Sequence, residues 1–322
     1  MENKSYLINK IYHLINQANF ILLIAHERPD GDTLGSAVAF SLLLDKLGKK
    51  YEIFCADPIP NYFLFLPNVH KFKNQLTEIE KQKFDLIITL DCGDLKRTKL
   101  LQTLSNINNS SQLINIDHHL SNPHYGDYNL VFPEYSSTAE IIFQLFSKWK
   151  IFINKEIATA LLNGIFTDTG AFSTPSTTFN SLLIAGILIN YGGRMQEVNR
   201  YNFRNKSLAS LKLWGRALER LKINKRYQLV YTIILKKDLE ELQATGEDLE
   251  GLANFFNNLT DVNASLLLKE EGEFIRGSFR TTNPNIDVNK LAKIFGGGGH
   301  TKASGFTIRG KLIFNGKNWQ II

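Results

Sequence analysis

Through the first half of the chain, short apolar runs alternate with amphipathic stretches. Phe20–Ala25, Tyr51–Cys55, Asp85–Leu90 and Leu113–Ile116 are short, mostly Ile, Leu and Phe, and predict strands buried on both faces. Thr33–Leu47 and Ser137–Lys150 have helical spacing, with Asp32 or Thr33 placed to cap the first of them. Asn154–Ile165 and Ser181–Tyr191 read as further helices, and Gly192-Gly193 breaks the pattern. This β–α rhythm predicts an α/β fold, a mostly parallel sheet with helices on both faces. Such sheets collect ligands at the carboxyl ends of their strands.

The second half changes character. A long amphipathic helix near Ser207–Lys222 leads to strands at Tyr227–Leu235, Ala264–Leu268, Phe274–Thr281 and Ala303–Ile308, with a helix at Asp287–Phe295. The pattern predicts a first domain over 1–190, a helical linker over 191–226 and a smaller α/β domain over 227–322. Ser105–Ser111 is polar enough to be a surface loop.

Composition narrows the class. The longest apolar run, near Leu182–Ile189, falls well short of the roughly 20 residues a membrane-spanning helix needs, so no membrane association is expected. The first residues show no charged-then-apolar secretory pattern, and two cysteines, Cys55 and Cys92, suggest no disulfide framework. A cytoplasmic location is the expectation. The net charge of +6 is uneven: residues 1–190 hold 16 basic against 18 acidic side chains, and 191–322 hold 21 against 13. Such a split suits an anionic substrate, although a solvated helix face explains the basic stretch 191–226 equally well.

Four polar clusters carry the candidate chemistry. His26, Asp30 and Asp32 follow the first strand, Asp91 the third, and Asp117-His118-His119 the fourth; Asp168 stands in Thr167-Asp168-Thr169-Gly170. Carboxylates and imidazoles massed at buried strand ends are costly unless cations compensate them. Hard oxygen mixed with nitrogen suits Mn²⁺ or Mg²⁺ better than a thiolate-rich zinc site. Asp91, alone on its strand end, is the natural bridge between two ions. His26 and Asp30 would hold one, and Asp32, His118 and Asp168 the other. No nucleophilic serine or cysteine motif competes, so hydrolysis by water that a metal pair activates is the simplest reaction. Asp117 suits either a ligand or a residue orienting a neighbouring imidazole. Cys92 reads as a small residue closing a strand, and Asp94 as an exposed loop residue. In the second domain, Gly296–Gly299 and His300 offer backbone N–H groups to an anion. Arg276 and Arg280 straddle Ser278 on one strand face, and Arg280 is a candidate phosphate fork.

Taken in order, these motifs resemble the DHH phosphoesterases that carry a DHH-associated (DHHA1) second domain. The resemblance rests on His26-x-x-x-Asp30-x-Asp32 with Leu34-Gly35-Ser36, Asp91-Cys92-Gly93-Asp94, Asp117-His118-His119, Thr167-Asp168-Thr169-Gly170, and Gly296–Gly299-His300 with Ala303-Ser304-Gly305-Phe306. It covers essentially the whole chain and is nearest, in size and layout, to the bifunctional oligoribonuclease and pAp phosphatase (nanoRNase) group. It implies two Mn²⁺ per chain, with Mg²⁺ as the substitute, held by His26, Asp30, Asp32, Asp91, His118 and Asp168. Catalysis would fall to His119, Asp117 and Asp91, with His119 also touching the scissile phosphate. Ser278, Arg280, Gly297, Gly298, Gly299 and His300 would bind the nucleotide's far end.

The implied substrates are short oligoribonucleotides and 3′-phosphoadenosine 5′-phosphate (pAp). Linear pApA or cyclic di-AMP is the nearest alternative, and a non-catalytic nucleotide sensor or RNA-binding protein a more distant one. A homodimer through the apolar helices of the first domain is a further expectation.

Overall fold

A computed structural model describes residues 2–101, 111–203, 206–249, 251–316 and 319–322. Most of the Ser105–Ser111 stretch lies outside the described residues. The chain divides into two compact units, Met1–Asn205 and Lys206–Ile322.

In the first unit the elements run α1 (Glu2–Gln17), β1 (Phe20–Ile24), α2 (Gly31–Lys46), β2 (Lys50–Phe54), β3 (Phe72–Lys73), β4 (Leu86–Leu90), β5 (Gln112–Asp117), β6 (Tyr128–Val131), α3 (Thr138–Lys148), α4 (Lys155–Asp168), α5 (Phe179–Asn190) and α6 (Met195–Phe203). The six strands form one parallel sheet in the order β3-β2-β1-β4-β5-β6. Alternate residues of each strand enter different cores. Ile21 and Leu23 pack with Leu34, Phe40, Ile142 and Leu161 from the helices. Leu22 and Ile24 pack on the opposite face with Ile79, Phe84 and Leu100, supplied by short helical turns and loops. Burial of both faces explains why these strands read as unbroken apolar runs.

The order of the strands reverses between β1 and β4. At such a switch point the connections leave in opposite directions and open a crevice at the carboxyl ends. His26 follows β1 by two residues and Asp91 follows β4 directly, so both stand at that crevice. Helix α2 starts earlier than the sequence pattern suggests. Its N-cap is Asp30, not Asp32 or Thr33: the Asp30 carboxylate accepts from the N–H groups of Asp32 (3.1 Å) and Thr33 (3.0 Å). A cap of this kind contributes about 1 kcal/mol. It also places Asp32 inside the first turn, with its carboxylate accepting from the N–H groups of Thr138 and Ala139.

The second unit runs α7 (Leu208–Glu219), β7 (Lys222–Asn224), β8 (Leu229–Ile234), α8 (Lys236–Glu241), α9 (Leu252–Phe255), β9 (Ala264–Glu271), β10 (Phe274–Arg280), α10 (Val288–Ile294), β11 (Gly298–Gly299), β12 (Ala303–Arg309), β13 (Leu312–Phe314) and β14 (Trp319–Ile321). Its main sheet is mixed, in the order β11-β12-β10-β9-β8-β7, and only β8 and β9 pair in parallel. Of the stretch 191–226, α6 falls in the first unit and α7, capped by Ser207, in the second. Among the described residues no helix is long and apolar enough to cross a membrane.

Candidate metal centre

Four elements of the first unit deliver the polar clusters to one place. The β1 end brings His26 and the following turn Asp30. The β4 and β5 ends bring Asp91 and Asp117-His118-His119. Asp168 is the last residue of α4. Helices α2 and α4 cross closely because glycines line the contact. A Cβ on Gly35 would lie 2.4 Å from the Ala160 carbonyl oxygen, and one on Gly164 would lie 2.6 Å from Asp32 Oδ1. Asp91 itself holds a positive φ of 62°. That conformation is uncommon outside glycine and turns the carboxylate back over the strand ends.

The imidazole and carboxylate atoms converge. His26 Nε2 lies 3.5 Å from Asp30 Oδ2 and 3.6 Å from Asp91 Oδ2. His118 Nε2 lies 3.1 Å from Asp168 Oδ2, 3.6 Å from Asp91 Oδ1 and 4.0 Å from Asp32 Oδ2. Three groups therefore gather ligand atoms within 4.8 Å of one another: His26, Asp30 and Asp91; Asp32, His118 and Asp168; and Asp91, His118 and His119. His26 is 1% exposed, Asp91 2% and Asp32 0%. Most of these separations are longer than a hydrogen bond and fit atoms that face a common ion.

One atom tests the fit. His26 Nε2 is buried with no hydrogen-bond partner among the described residues. Its Nδ1 lies 2.6 Å from the Glu27 carbonyl, which makes Nδ1 the donor and leaves the Nε2 lone pair facing Asp30 and Asp91. Arg97 Nη2 is also 3.2 Å from Nδ1, but the shorter contact to the carbonyl decides the tautomer. An orphaned imidazole lone pair beside two carboxylates is what a divalent cation needs. Electrostatics agree. Burial opposes the His26 and His118 imidazoliums, yet the surrounding carboxylates outweigh it and raise both to about 10. Burial, followed by the charges of Asp91 and Asp168, pushes Asp32 well above the ordinary carboxylate range. Asp168 is raised as well, first by burial. These shifts mark carboxylates crowded against one another and against two imidazoles, a charge pattern that a divalent cation would relieve.

His119 is set apart from the ligands. Its Nδ1 lies 2.8 Å from Asp117 Oδ1, so Nδ1 donates there and does not coordinate, although it also comes within 3.7 Å of Asp91. Asp117 takes the orienting role: its other oxygen accepts from Asn122 Nδ2 at 2.6 Å. Cys92 is buried, and burial followed by the Asp91 and Asp117 charges pushes its thiol well above the ordinary thiol range. Asp94 is exposed and caps the turn Leu95–Thr98.

Thr138 was not singled out in the sequence, and it touches two of the ligands. Its Oγ1 donates to Asp91 Oδ1 at 3.0 Å. Its N–H donates to Asp32 Oδ2 at 2.6 Å, and that of Ala139 to Asp32 Oδ1 at 2.9 Å. Asp32 thus sits on the N-terminus of α3, where unpaired N–H groups and the helix dipole favour a carboxylate. The available signal was Ser136-Ser137-Thr138 before an amphipathic run, the mark of a helix start.

In the second unit, strand register gathers the other candidates. Ser278 lies opposite Gly305, which lies opposite Gly298; Arg280 lies opposite Ala303. Arg280 is held by Asn254 Oδ1 through Nε at 2.8 Å, and among the described residues no carboxylate pairs with it. The glycine run is partly committed to the fold. Gly297 N–H donates to Ala292, His300 N–H donates to Ala303, and a Cβ on Gly297 would strike the Gly305 carbonyl at 2.1 Å. Arg276 is exposed. Ser304 is buried and donates to the Val288 carbonyl at 2.7 Å.

An Asp/His cluster at a parallel sheet's switch point puts this two-unit α/β protein in the class with a candidate metal centre at the carboxyl ends of its strands. Comparison with known proteins gives the family. The sequence pattern of the DHH family, N-terminal domain, matches residues 20–165, and that of the DHHA1 domain matches 226–314. The bifunctional oligoribonuclease and PAP phosphatase NrnA of Mycoplasma genitalium is 30% identical over 94% of this chain and 93% of its own. Its namesake from Thermus thermophilus is 28% identical over 90% and 84%. The crystal structure of an exopolyphosphatase-related protein from Bacteroides fragilis matches with a TM-score of 0.90 at 28% identity, over 95% of this chain and 92% of that one. The chain belongs to the DHH–DHHA1 family of phosphoesterases.

Proposed function

We propose that the protein hydrolyses very short RNA to mononucleotides and pAp to AMP, using two divalent cations, Mn²⁺ or Mg²⁺. The observation that carries this reading is the shared position of Asp91. Its Oδ2 faces His26 beside Asp30, and its Oδ1 faces His118 beside Asp32 and Asp168. The first set would hold one ion, the second the other, and Asp91 both. When bound, such a pair supplies an acidified water and Lewis-acid stabilisation of phosphoryl oxygens. The relatives named as oligoribonucleases and PAP phosphatases support the substrate class.

The chain's own groups do the rest. Asp117 holds His119 by Nδ1, so His119 exchanges its proton at Nε2, towards the leaving oxygen of the ester. In the second unit, Ser278, Arg280, Gly298, Gly299 and His300 are the candidates for binding a nucleotide.

Metal-stripped protein with Mn²⁺, Mg²⁺ or Zn²⁺ restored should be offered pAp, RNA of a few nucleotides, pApA, cyclic di-AMP and long RNA. Cleavage of pAp and short RNA with metal restored, and little action on long RNA, is expected. Intact pAp and short RNA would overturn the reading, and higher kcat/KM on pApA or cyclic di-AMP would reassign the substrate. Asp91→Asn should abolish hydrolysis while sparing the fold; an unchanged rate would show that hydrolysis does not depend on this cluster, and no hydrolysis even by the metal-loaded wild type would favour a non-catalytic nucleotide-binding protein.

A further inference from the structure

The metal cluster does not account for Arg97. It lies on the turn Leu95–Thr98, which follows β4 and starts at the Asp94 cap. The turn is fixed to the loop that carries His26 and Asp30: Glu27 N–H donates to the Arg97 carbonyl at 2.7 Å, and Lys99 Nζ pairs with Glu27 at 2.9 Å. The Arg97 side chain is half-buried, with Nη2 3.2 Å from His26 Nδ1. That contact is no hydrogen bond, because the same Nδ1 donates to the Glu27 carbonyl. Among the described residues, no carboxylate lies within ion-pair distance of the Arg97 guanidinium.

A guanidinium has five N–H donors and no acceptor, and it stays charged at any physiological pH. Beside atoms that gather cations, its charge opposes metal uptake unless an anion of the substrate joins it. Its placement is also one-sided. It stands beside His26, whose Nε2 faces Asp30 and Asp91 Oδ2, whereas His118 and His119 face Asp91 Oδ1.

We propose that Arg97 binds the non-bridging oxygens of the substrate's scissile phosphate on the His26–Asp30 flank, across the cluster from His119. This rests on the phosphoester reading given above. A planar fork grips two oxygens of one phosphate at once, so Arg97 orients the group as well as attracting it. The ordinary alternative is that Arg97 merely steadies His26 or offsets its carboxylate neighbours.

Isothermal titration of wild type, Arg97→Lys and Arg97→Gln separates these, first with Mn²⁺ alone and then with inorganic phosphate, the group that leaves pAp, added to the Mn²⁺-loaded protein. Mn²⁺ uptake should stay within about twofold of wild type in Arg97→Lys and be no weaker than wild type in Arg97→Gln, where the opposing charge is gone. The phosphate Kd should rise at least tenfold in Arg97→Gln and by less in Arg97→Lys, where the charge survives but the fork is lost. KM for pAp should rise in parallel. Unchanged phosphate affinity would overturn the proposal, as would loss of Mn²⁺ uptake in the variants, which marks a supporting role for His26. The phosphate titration is independent of turnover. Wild type that binds phosphate in an Arg97-dependent way but cleaves neither pAp nor short RNA would sink the proposed function and leave this contact standing.

Discussion

Thr138 Oγ1 donates to Asp91 Oδ1 at 3.0 Å while the N–H of the same residue donates to Asp32 Oδ2 at 2.6 Å. One residue at a helix start thereby fixes a carboxylate at the centre of the cluster and another at its edge. Thr138→Val keeps the shape and the backbone bond and removes only the hydroxyl. Groups that orient metal ligands typically contribute about 10–100-fold to affinity. Thr138→Val should therefore weaken Mn²⁺ uptake by about tenfold in calorimetric titration, and Thr138→Ser should restore it. Equal affinities in all three proteins would show that the contact is incidental.

Gly164 is the point where α4 leaves room for the Asp32 carboxylate. A Cβ there would lie 2.5 Å from Ala139 Cβ and 2.6 Å from Asp32 Oδ1, closer than atoms can pack. Gly164→Ala must shift α3 or Asp32. Overpacking of this kind costs about 1–3 kcal/mol. Chemical denaturation should show that loss, and Mn²⁺ affinity should fall with it. A stable Gly164→Ala protein with native metal uptake would mean that the helices part more easily than their packing implies.

His119 depends on Asp117 for its tautomer. Asp117→Asn preserves size and the chance of a bond to Asn122 but replaces an obligate acceptor by an amide. Metal uptake should survive, because Asp117 and His119 Nδ1 bond to each other and lie outside the proposed ligand set. The rate should fall by about 10²-fold or more, the low end of what a positioned acid contributes. Single-turnover rates beside Mn²⁺ titrations check this. Loss of metal instead would place Asp117 among the ligands.

These tests also mark where sequence reading stops. The strand ends were legible because burial on both faces forces unbroken apolar runs, and polar residues directly after them stand out. Asp91 and His26 could be placed at the carboxyl ends of strands for that reason. The cap of α2 was misplaced because Asp30, Asp32 and Thr33 are all good caps, and only the turn geometry selects Asp30. The edge strands β3 and β6 and the N-terminal helix α1 escaped notice; β3 is two residues long, and α1 has a polar sequence whose apolar stripe includes Ile8, Ile11 and Ile15. Thr138 is 106 residues from Asp32 along the chain. A bond made by tertiary closeness leaves no local pattern, so residues of this kind are the last that a sequence yields. The glycine run shows the opposite limit. Its composition suggested an anion cradle, while part of its backbone is committed to Ala292 and Ala303.

The second unit carries its own pH-sensitive element in Asp238, whose side chain is fully buried. It accepts from Arg216 Nη1 at 2.9 Å, from Arg220 through both terminal nitrogens, and from the Leu235 N–H at 2.8 Å. Burial alone would raise this carboxyl, but Arg220, the Leu235 amide and Arg216 outweigh it and hold it at about 2, below the ordinary 3.8. A carboxylate depressed on folding stabilises the native state at pH values above the unfolded pKa. That contribution is complete above about 4 and fades as pH falls from 3.8 towards 2. Its size is on the order of 2 kcal/mol. Both arginines reach solvent, so removing their partner should cost less than the roughly 3–5 kcal/mol of a fully buried pair. Asp238→Asn should lower the stability of the second unit by about 2 kcal/mol at neutral pH and flatten its decline between pH 4 and pH 2. Urea titrations across that range measure both. An Asn variant with the wild-type acid profile would show that other carboxylates govern acid unfolding.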